Sequence, residues 1–517
     1  MPRCRSISIL LTRFGWLATI GCLSTIGCRG RVEDARTVVM AIESSPNNLD
    51  LRQGTDAQSE RIGALLFDAL VRKDEHYDLQ PWLATRWEQP DTLTWVFHLR
   101  DGVRFQDGRA LEAEDVAWTI RSMIDGTLVT AKGGAFAAVA QVAAPDRLTI
   151  IVRLNHPDAG LLFNLSDGLF GVVPRGAGND FGLHPVGSGP FHFVSAVQDK
   201  EVVVERNQGY WAGAPKIERV QFAVVPDAIT TVLELKKGSA DVESNAITLD
   251  MVHALRNVPN LVTETGTSSV VVYANFNTQD PILRDRRVRQ AIACAIDRSA
   301  IIQALWRGHA RLAETLLPVG HWAAARDEML PQYAHDPARA QALLDAAGYP
   351  PSKTGVRLTI TLKTSTDETT RLLAAVLQQQ MRAAGIDLQI RSAEFGTFYA
   401  DVTKGAFQMY ALRWIGSNED PDIFRYAYDS ASFPPKGGNR GRYSNRYVDA
   451  LLAQAAGSAD QAKRRQLYVA VQQSLAEDLP GIPLWYPDNE VIHSRRLSGV
   501  TPRASGNYDF LRDAVLH

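Results

Sequence analysis

The clearest pattern along the chain starts at His335. Asp336-Pro337 supplies a helix N-cap and a first-turn proline, Ala338–Ala347 is rich in helix formers, and Gly348 is a C-terminal stop. From Val356 to Leu362 every second residue is apolar (Val356, Leu358, Ile360, Leu362), which predicts a strand with one buried face. Thr370–Ala384 then predicts a helix stopped by Gly385. Ile386, Leu388 and Ile390 predict a second strand, and Phe407–Trp414 a third. Helices interleaved with strands in this way predict an α/β lobe whose helices pack on its sheet. Upstream, Thr94–Arg100 is strand-like and ends at the Asp101-Gly102 turn, while Asp107-Gly108 forms another. Glu112–Met123 carries Val116, Ile120 and Met123 at helical spacing, and its acidic start suits a helix N-terminus. Val202–Glu205 and Val220–Val225 are β-rich runs separated by the turn-forming Asn207–Pro215.

The N-terminus follows another pattern. Arg3, Arg5 and Arg13 lead into an uncharged 13-residue run, Phe14–Ile26, too short for a membrane span and right for the core of a secretory signal. Gly27-Cys28 follows. Residues 1–27 resemble a bacterial lipoprotein signal, which implies lipidation of Cys28, although Thr25 stands where such signals usually carry leucine. An ordinary signal peptide or a short anchor helix is the competing reading. After Cys28 no uncharged apolar run approaches 18 residues, so no further membrane span is expected.

Composition narrows the classes. The 517 residues are 45% hydrophobic and 22% charged, as in soluble globular proteins, and the length suits two to four domains. The formal charge of −2 becomes −5 once residues 1–27 take away three arginines and no acid, so nucleic acid is not an expected partner. Of four cysteines, Cys4 and Cys22 lie in the signal and Cys28 at its end. That leaves Cys294, inside the apolar helical pattern Arg287–Ile296, as a buried thiol with no disulfide partner. No CxxC or HExxH motif occurs, so neither a metal site nor a cofactor is expected.

Eight blocks, in order, carry a family resemblance: Leu66–Val71; Trp95–Phe105 with Asp107-Gly108 and Leu111–Ile120; Pro185–Phe191; Asn207–Trp211; Asn275–Asn277; Asp285–Ile292 with Ala295–Asp297; Gly441–Asn445; and Ile482–Trp485. With them, about residues 38 to 500 resemble the extracytoplasmic solute-binding proteins of family 5, the oligopeptide-, dipeptide- and nickel-binding components of ABC importers. Leu66–Val71 is similar to an early helix of that family. Gly187-Ser188-Gly189 lacks the lysine of a nucleotide loop and reads as a turn between subdomains.

The resemblance implies an α/β, bilobal periplasmic-binding-protein fold, class II-like and large, with an extra subdomain inserted in lobe I. Lobe I would comprise residues 28–62, 183–275 and 489–517, the extra subdomain 63–182, and lobe II 276–488. Two crossings between lobes would form a hinge, and closure would bury ligand in the cleft. The implied role is non-catalytic: capture of an oligopeptide or related polar solute and its delivery to the permease subunits of an ABC transporter, at the periplasmic face of the envelope, on a lipid anchor.

Candidate ligand contacts also come from the resemblance. Peptide-binding members use a tryptophan and nearby backbone after a lobe II strand, with an aspartate three residues later for the peptide's ammonium. The matching segment is Arg413-Trp414-Ile415-Gly416-Ser417-Asn418-Glu419-Asp420, so Trp414 matches and Ser417 replaces the aspartate. A serine cannot neutralise an ammonium. The arginine that dipeptide-specific members place after the Val356–Leu362 strand is also absent, with Lys363 adjacent. Either Glu419, Asp420 or Lys363 substitutes, or the ligand is not a zwitterionic dipeptide. The candidate contacts are therefore Arg413, Trp414, Gly416, Ser417, Asp420 and Asn275. Four of them have a structural alternative: interlobe core for Trp414, an ion pair between lobes for Arg413, an acidic turn before a helix (Glu419–Asp422) for Asp420, and a hinge bond at the first lobe crossing for Asn275. Tyr443 reads as structural. A metal chelate or an oligosaccharide is the alternative ligand, since Ser417 suits a neutral group. A secreted hydrolase, or an envelope scaffold, is the alternative class.

Overall fold

In the computed structural model, which describes residues 36–416, 419–458 and 460–517, three large sheets divide the chain. Residues 1–27, Cys28 and Ser417 lie outside the described residues, and with them the expectations of a signal, a lipid site and a serine in the cleft. Seven strands form the first sheet, in the order Leu261–Gly266, Asn489–Ser494, Val242–Ser244, Thr37–Ile42, Arg219–Val224, Glu201–Arg206, Phe191–Val197. Six form the second: Ala310–Leu312, Gly481–Pro487, Val271–Phe276, Met409–Trp414, Leu358–Ser365, Ile386–Ala393. These are the sheets of two lobes. A third, four-stranded antiparallel sheet (Ala84–Asp91, Thr94–Leu99, Thr149–Leu154, Val139–Ala143) packs with helix Ala113–Ile124 around an apolar core of its own. Among the described residues no helix is long and apolar enough to cross a membrane.

Local chemistry accounts for the lobe II elements. Asp336 accepts a hydrogen bond from Arg339 N and starts helix Pro337–Ala346, while Gly348 takes φ +89°, a left-handed conformation that a Cβ would strain. Asp367 caps helix Glu368–Ala383 in the same manner. The first strand begins two residues later than the alternation suggests, at Leu358, because its parallel register pairs Leu358 with Ile386 and leaves Val356 outside the ladder. Strand Val271–Phe276 is buried at every position, as a central strand covered on both faces must be. Cys294 is fully buried in this core.

Two expectations are corrected. Leu66–Val71 is not a helix: helix Ala57–Leu66 ends where that block begins, and Phe67 is already extended. The first crossing between lobes does not fall at residue 275. Strand Val271–Phe276 belongs wholly to the lobe II sheet, so the chain crosses between Gly266 and Val271. The return crossing, Pro487 to Asn489, runs beside it, with Gly266 paired to Asn489 and Val272 to Trp485. Asn489 Nδ2 ties the two together by donating to Thr267 O at 3.4 Å, and it also donates to the C-terminal run at Arg503 O (2.7 Å) and Ala504 O (3.1 Å).

The Gly187-Ser188-Gly189 turn has a steric cause. A Cβ at Gly187 would lie 1.8 Å from the carbonyl oxygen of Leu66, and one at Gly189 2.7 Å from it. Backbone cannot yield as a flexible side chain can, so Gly187→Ala is expected to cost about 1–3 kcal/mol by urea unfolding. An unchanged midpoint would show that the turn can shift.

Near the crossings, Glu243 is fully buried on its strand. Burial, reinforced by Glu43 and Glu490, pushes its carboxyl up from 4.5 to about 8. The folded protein therefore keeps a proton that the unfolded chain releases, so this contribution to stability is full below pH 4.5 and is lost as pH rises through 8. Glu243→Gln is expected to raise stability relative to the parent at pH 8, by at least about 1 kcal/mol more than at pH 4.5. Equal effects at both pH values, in paired urea melts, would show that Glu243 does not titrate in this range.

Candidate functional site

Three of the sequence blocks converge on one carboxylate. The extended run after helix Ala57–Leu66 places Asp68, 2% exposed, where it accepts from Trp82 Nε1 (2.8 Å), Tyr210 OH (2.8 Å), Trp211 Nε1 (3.0 Å) and Ser188 Oγ (2.8 Å). Gln106, from the turn beside the four-stranded sheet, donates its amide to Phe191 O at 2.7 Å and accepts from Gly187 N. This knot joins the four-stranded unit to lobe I. Burial pushes the Asp68 carboxyl up, and the four donors pull it back without cancelling the rise.

Beside the knot lies a cavity of about 570 Å³, within the few-hundred to thousand Å³ of small-ligand sites. Its walls come from the Leu65–Ala69 stretch, the Arg72–Tyr77 hairpin, Asp167, the C-terminal run Thr501–Ser505 with Asp509 and Arg512, and, from lobe II, Glu419. It is thus lined by lobe I and its attached unit, with Glu419 contributed from lobe II.

Glu419 is held by partners from both sides. Lys73 Nζ donates to its Oε2 at 2.8 Å, and both side chains are at least nine-tenths buried. His321 Nε2 donates to Glu419 O at 3.0 Å, while His321 Nδ1 accepts from Ala323 N. Burial lowers the imidazole pKa to about 4, so the ring is neutral at pH 7. Tyr77, left-handed at φ +63°, stacks on that ring with centroids 5.3 Å apart, which offsets the cost of its backbone conformation. Burial also lowers Lys73, but Glu419, Asp167 and Asp509 outweigh it and hold its pKa above the usual range.

The expected contacts fare unevenly. None of Arg413, Trp414, Gly416, Asp420 and Asn275 lines this cavity. Trp414 is 9% exposed within lobe II, stacked on Tyr273 at 5.7 Å with the Arg440 guanidinium over its face. Arg413 is exposed on the same strand, and Gly416 sits in the turn after it. Asn275 is 7% exposed and donates to Tyr410 OH, so it is a core bond of the lobe II sheet and not a hinge bond. Asp420 is buried, 3.9 Å from Arg464; burial pushes its carboxyl up to about 6. Lys363 is paired with Asp401 at 2.6 Å. Tyr443 is buried and donates to Asp478. Of the charged substitutes considered for the missing aspartate, only Glu419 reaches the cavity, and Lys73 already holds one of its oxygens.

Sequence reasoning missed Asp68, Lys73, Tyr77, Asp167 and Asp509. Asp68 lay inside a quoted block, and its partners Ser188, Tyr210 and Trp211 lay in two others, so a shared contact was the available signal. Asp167 and Asp509 carry no local motif, since each is an isolated acid beside apolar residues, in Leu165-Ser166-Asp167-Gly168-Leu169 and Tyr508-Asp509-Phe510-Leu511.

Over residues 78–434 the chain matches the family model of the bacterial extracellular solute-binding proteins, family 5 middle region. It is 30% identical to the probable di/tripeptide-binding protein 5 of Pseudomonas aeruginosa, over 93% of this chain and 96% of that one. It is 27% identical to the glutathione-binding protein GsiB of Escherichia coli, over 90% and 92%. Its fold is similar to that of HbpA2 from Haemophilus parasuis, with a TM-score of 0.82 at 24% identity over 93% of this chain and 100% of that one. These matches, with the two-lobed fold and the cavity beside the lobe crossings, place the chain: it belongs to the bacterial extracellular solute-binding proteins of family 5.

Proposed function

We propose that the chain is the substrate-binding receptor of an ABC importer, capturing a short peptide or related polar solute and delivering it to the permease subunits, at the periplasmic face of the envelope and anchored by lipid on Cys28. The observation that carries the capture reading is the 570 Å³ cavity, lined by lobe I and its attached unit with Glu419 from lobe II, and rich in charged side chains, beside two adjacent crossings that can act as a hinge. Relatives named for di- and tripeptides and for glutathione, itself a tripeptide, favour a ligand of that size. The anchor and the permease follow from the lipoprotein-like N-terminus and from the family's role in import.

A thermal-shift screen of the protein without residues 1–27 tests the capture reading. A bound tripeptide at a hundred times its dissociation constant should stabilise by about 2.7 kcal/mol, about 2–3 °C in melting temperature for a chain of this size. Stabilisation by oligosaccharides or metal chelates and by no peptide would overturn the peptide reading. Mass spectrometry of the membrane fraction reads the anchor: a diacylglyceryl mass on a chain starting at Cys28 is expected, and a free Cys28 thiol would refute it.

A further inference from the structure

The charges around the cavity do not balance locally. Asp68 is saturated by its four donors, and Asp74 accepts from Gln80 Nε2 and from the backbone of His76 and Asp78. Among the cations, Arg72 lies over Trp82, and Arg503 and Arg512 both reach Asp513. Asp509 has the charges of Arg503, Arg512 and Lys73 nearby but no salt bridge among the described residues, while Asp167 and Glu419 share Lys73.

Each of the three has unused acceptor capacity. Glu419 is 3% exposed, lines the cavity, and has a buried Oε1 with no hydrogen-bond partner among the described residues. An orphaned buried carboxylate oxygen is costly unless something fills its place. Among the described residues Asp167 accepts one hydrogen bond, from the backbone N–H of Lys73 through Oδ1 at 2.9 Å. No donor among the described residues reaches the Asp509 carboxylate. Burial, with Asp167 close by, pushes Asp509 up to about 6, although Arg503, Arg512 and Lys73 nearby pull it back. Among the described residues no group of acids converges tightly enough to hold a metal ion. The cavity therefore suits an organic cation with donors spread along its length.

We infer that Asp167 and Asp509 receive an ammonium group of the bound solute, and that the free Oε1 of Glu419 accepts a second donor from the same molecule. The inference rests on the capture reading and deepens it. The ligand's positive charge is taken up by lobe I and its attached unit, so Ser417 in the lobe II segment need not carry a counter-charge.

A randomised tripeptide pool, the same pool after N-acetylation, and 1,5-diaminopentane are offered to the protein lacking residues 1–27. Native mass spectrometry shows what is retained, and calorimetry gives the affinity of the best-retained species. The free-amine peptide is expected to bind about 10- to 100-fold more tightly than its acetylated form, the range of a charge-assisted hydrogen bond. In Asp167→Asn/Asp509→Asn that ratio should fall to near one, with acetylated peptide bound as in the parent. Equal binding of both pools to the parent protein would overturn the inference and leave the peptide reading intact. Binding of 1,5-diaminopentane alone, lost in the double variant, would support the inference and sink the peptide reading. Retention of none of the three would overturn both. The comparison of pools on the parent protein needs no variant, and Asp509→Asn alone is the second test if the double variant does not fold.

Discussion

Asp68→Ala is expected to lower the free energy of unfolding by about 3–5 kcal/mol, the range for breaking a buried charged network. Alanine would remove the acceptor of two indole N–H groups and two hydroxyls, all within 3.0 Å of the carboxylate. Each donor left without a partner costs about 1–3 kcal/mol, with relaxation recovering part of the sum. Asp68→Asn keeps the shape but turns an amide N–H₂ toward donors, so an intermediate loss is expected. Urea unfolding at pH 7 measures both. A loss under about 1 kcal/mol for alanine would mean that water enters and satisfies the four donors. Because the knot joins the four-stranded unit to lobe I, the alanine variant should also lose cooperativity, seen as a lower m-value.

The second large effect is at Lys73. Lys73→Met is expected to cost about 3–5 kcal/mol, because it strands the Glu419 carboxylate in a buried site with one oxygen already unpartnered. The methionine keeps the apolar stem against the Phe163 ring, over which the Lys73 ammonium sits at 5.1 Å, so the loss reports charge more than packing. Adding Glu419→Gln should recover most of it, and the double-mutant cycle gives the coupling. High salt should change the parent's stability little, since a buried pair is poorly screened. Additive single losses, with no recovery in the double variant, would show that the pair contributes nothing as a pair.

Legibility in the sequence tracks the range of the interaction. The cap at Asp336, the stop at Gly348 and the alternation from Leu358 are decided within a few residues, and the sequence displays them. Asn275 shows the limit. Its place in a motif suggested a hinge or a cleft, yet its neighbours are Tyr410 and Gly481, brought there by sheet pairing, and Gly441 from a distant loop. Trp414 reads as ligand contact or interlobe core in one dimension; only the fold shows that it stacks on Tyr273 inside lobe II.

The sequence by itself determined the α/β lobe, the helix caps and turns, the buried Cys294 and, through eight ordered blocks, the family. Tertiary structure alone decided where the lobes cross, which carboxylates face the cavity, and what the acidic segment after Trp414 does. Caps and periodicities are short-range consequences of backbone geometry. The Lys73–Glu419 pair joins residues 346 positions apart, and Asp68 meets Tyr210 across 142. No local pattern encodes such meetings: they follow from which faces of which sheets are buried against one another, and only the folded chain fixes that.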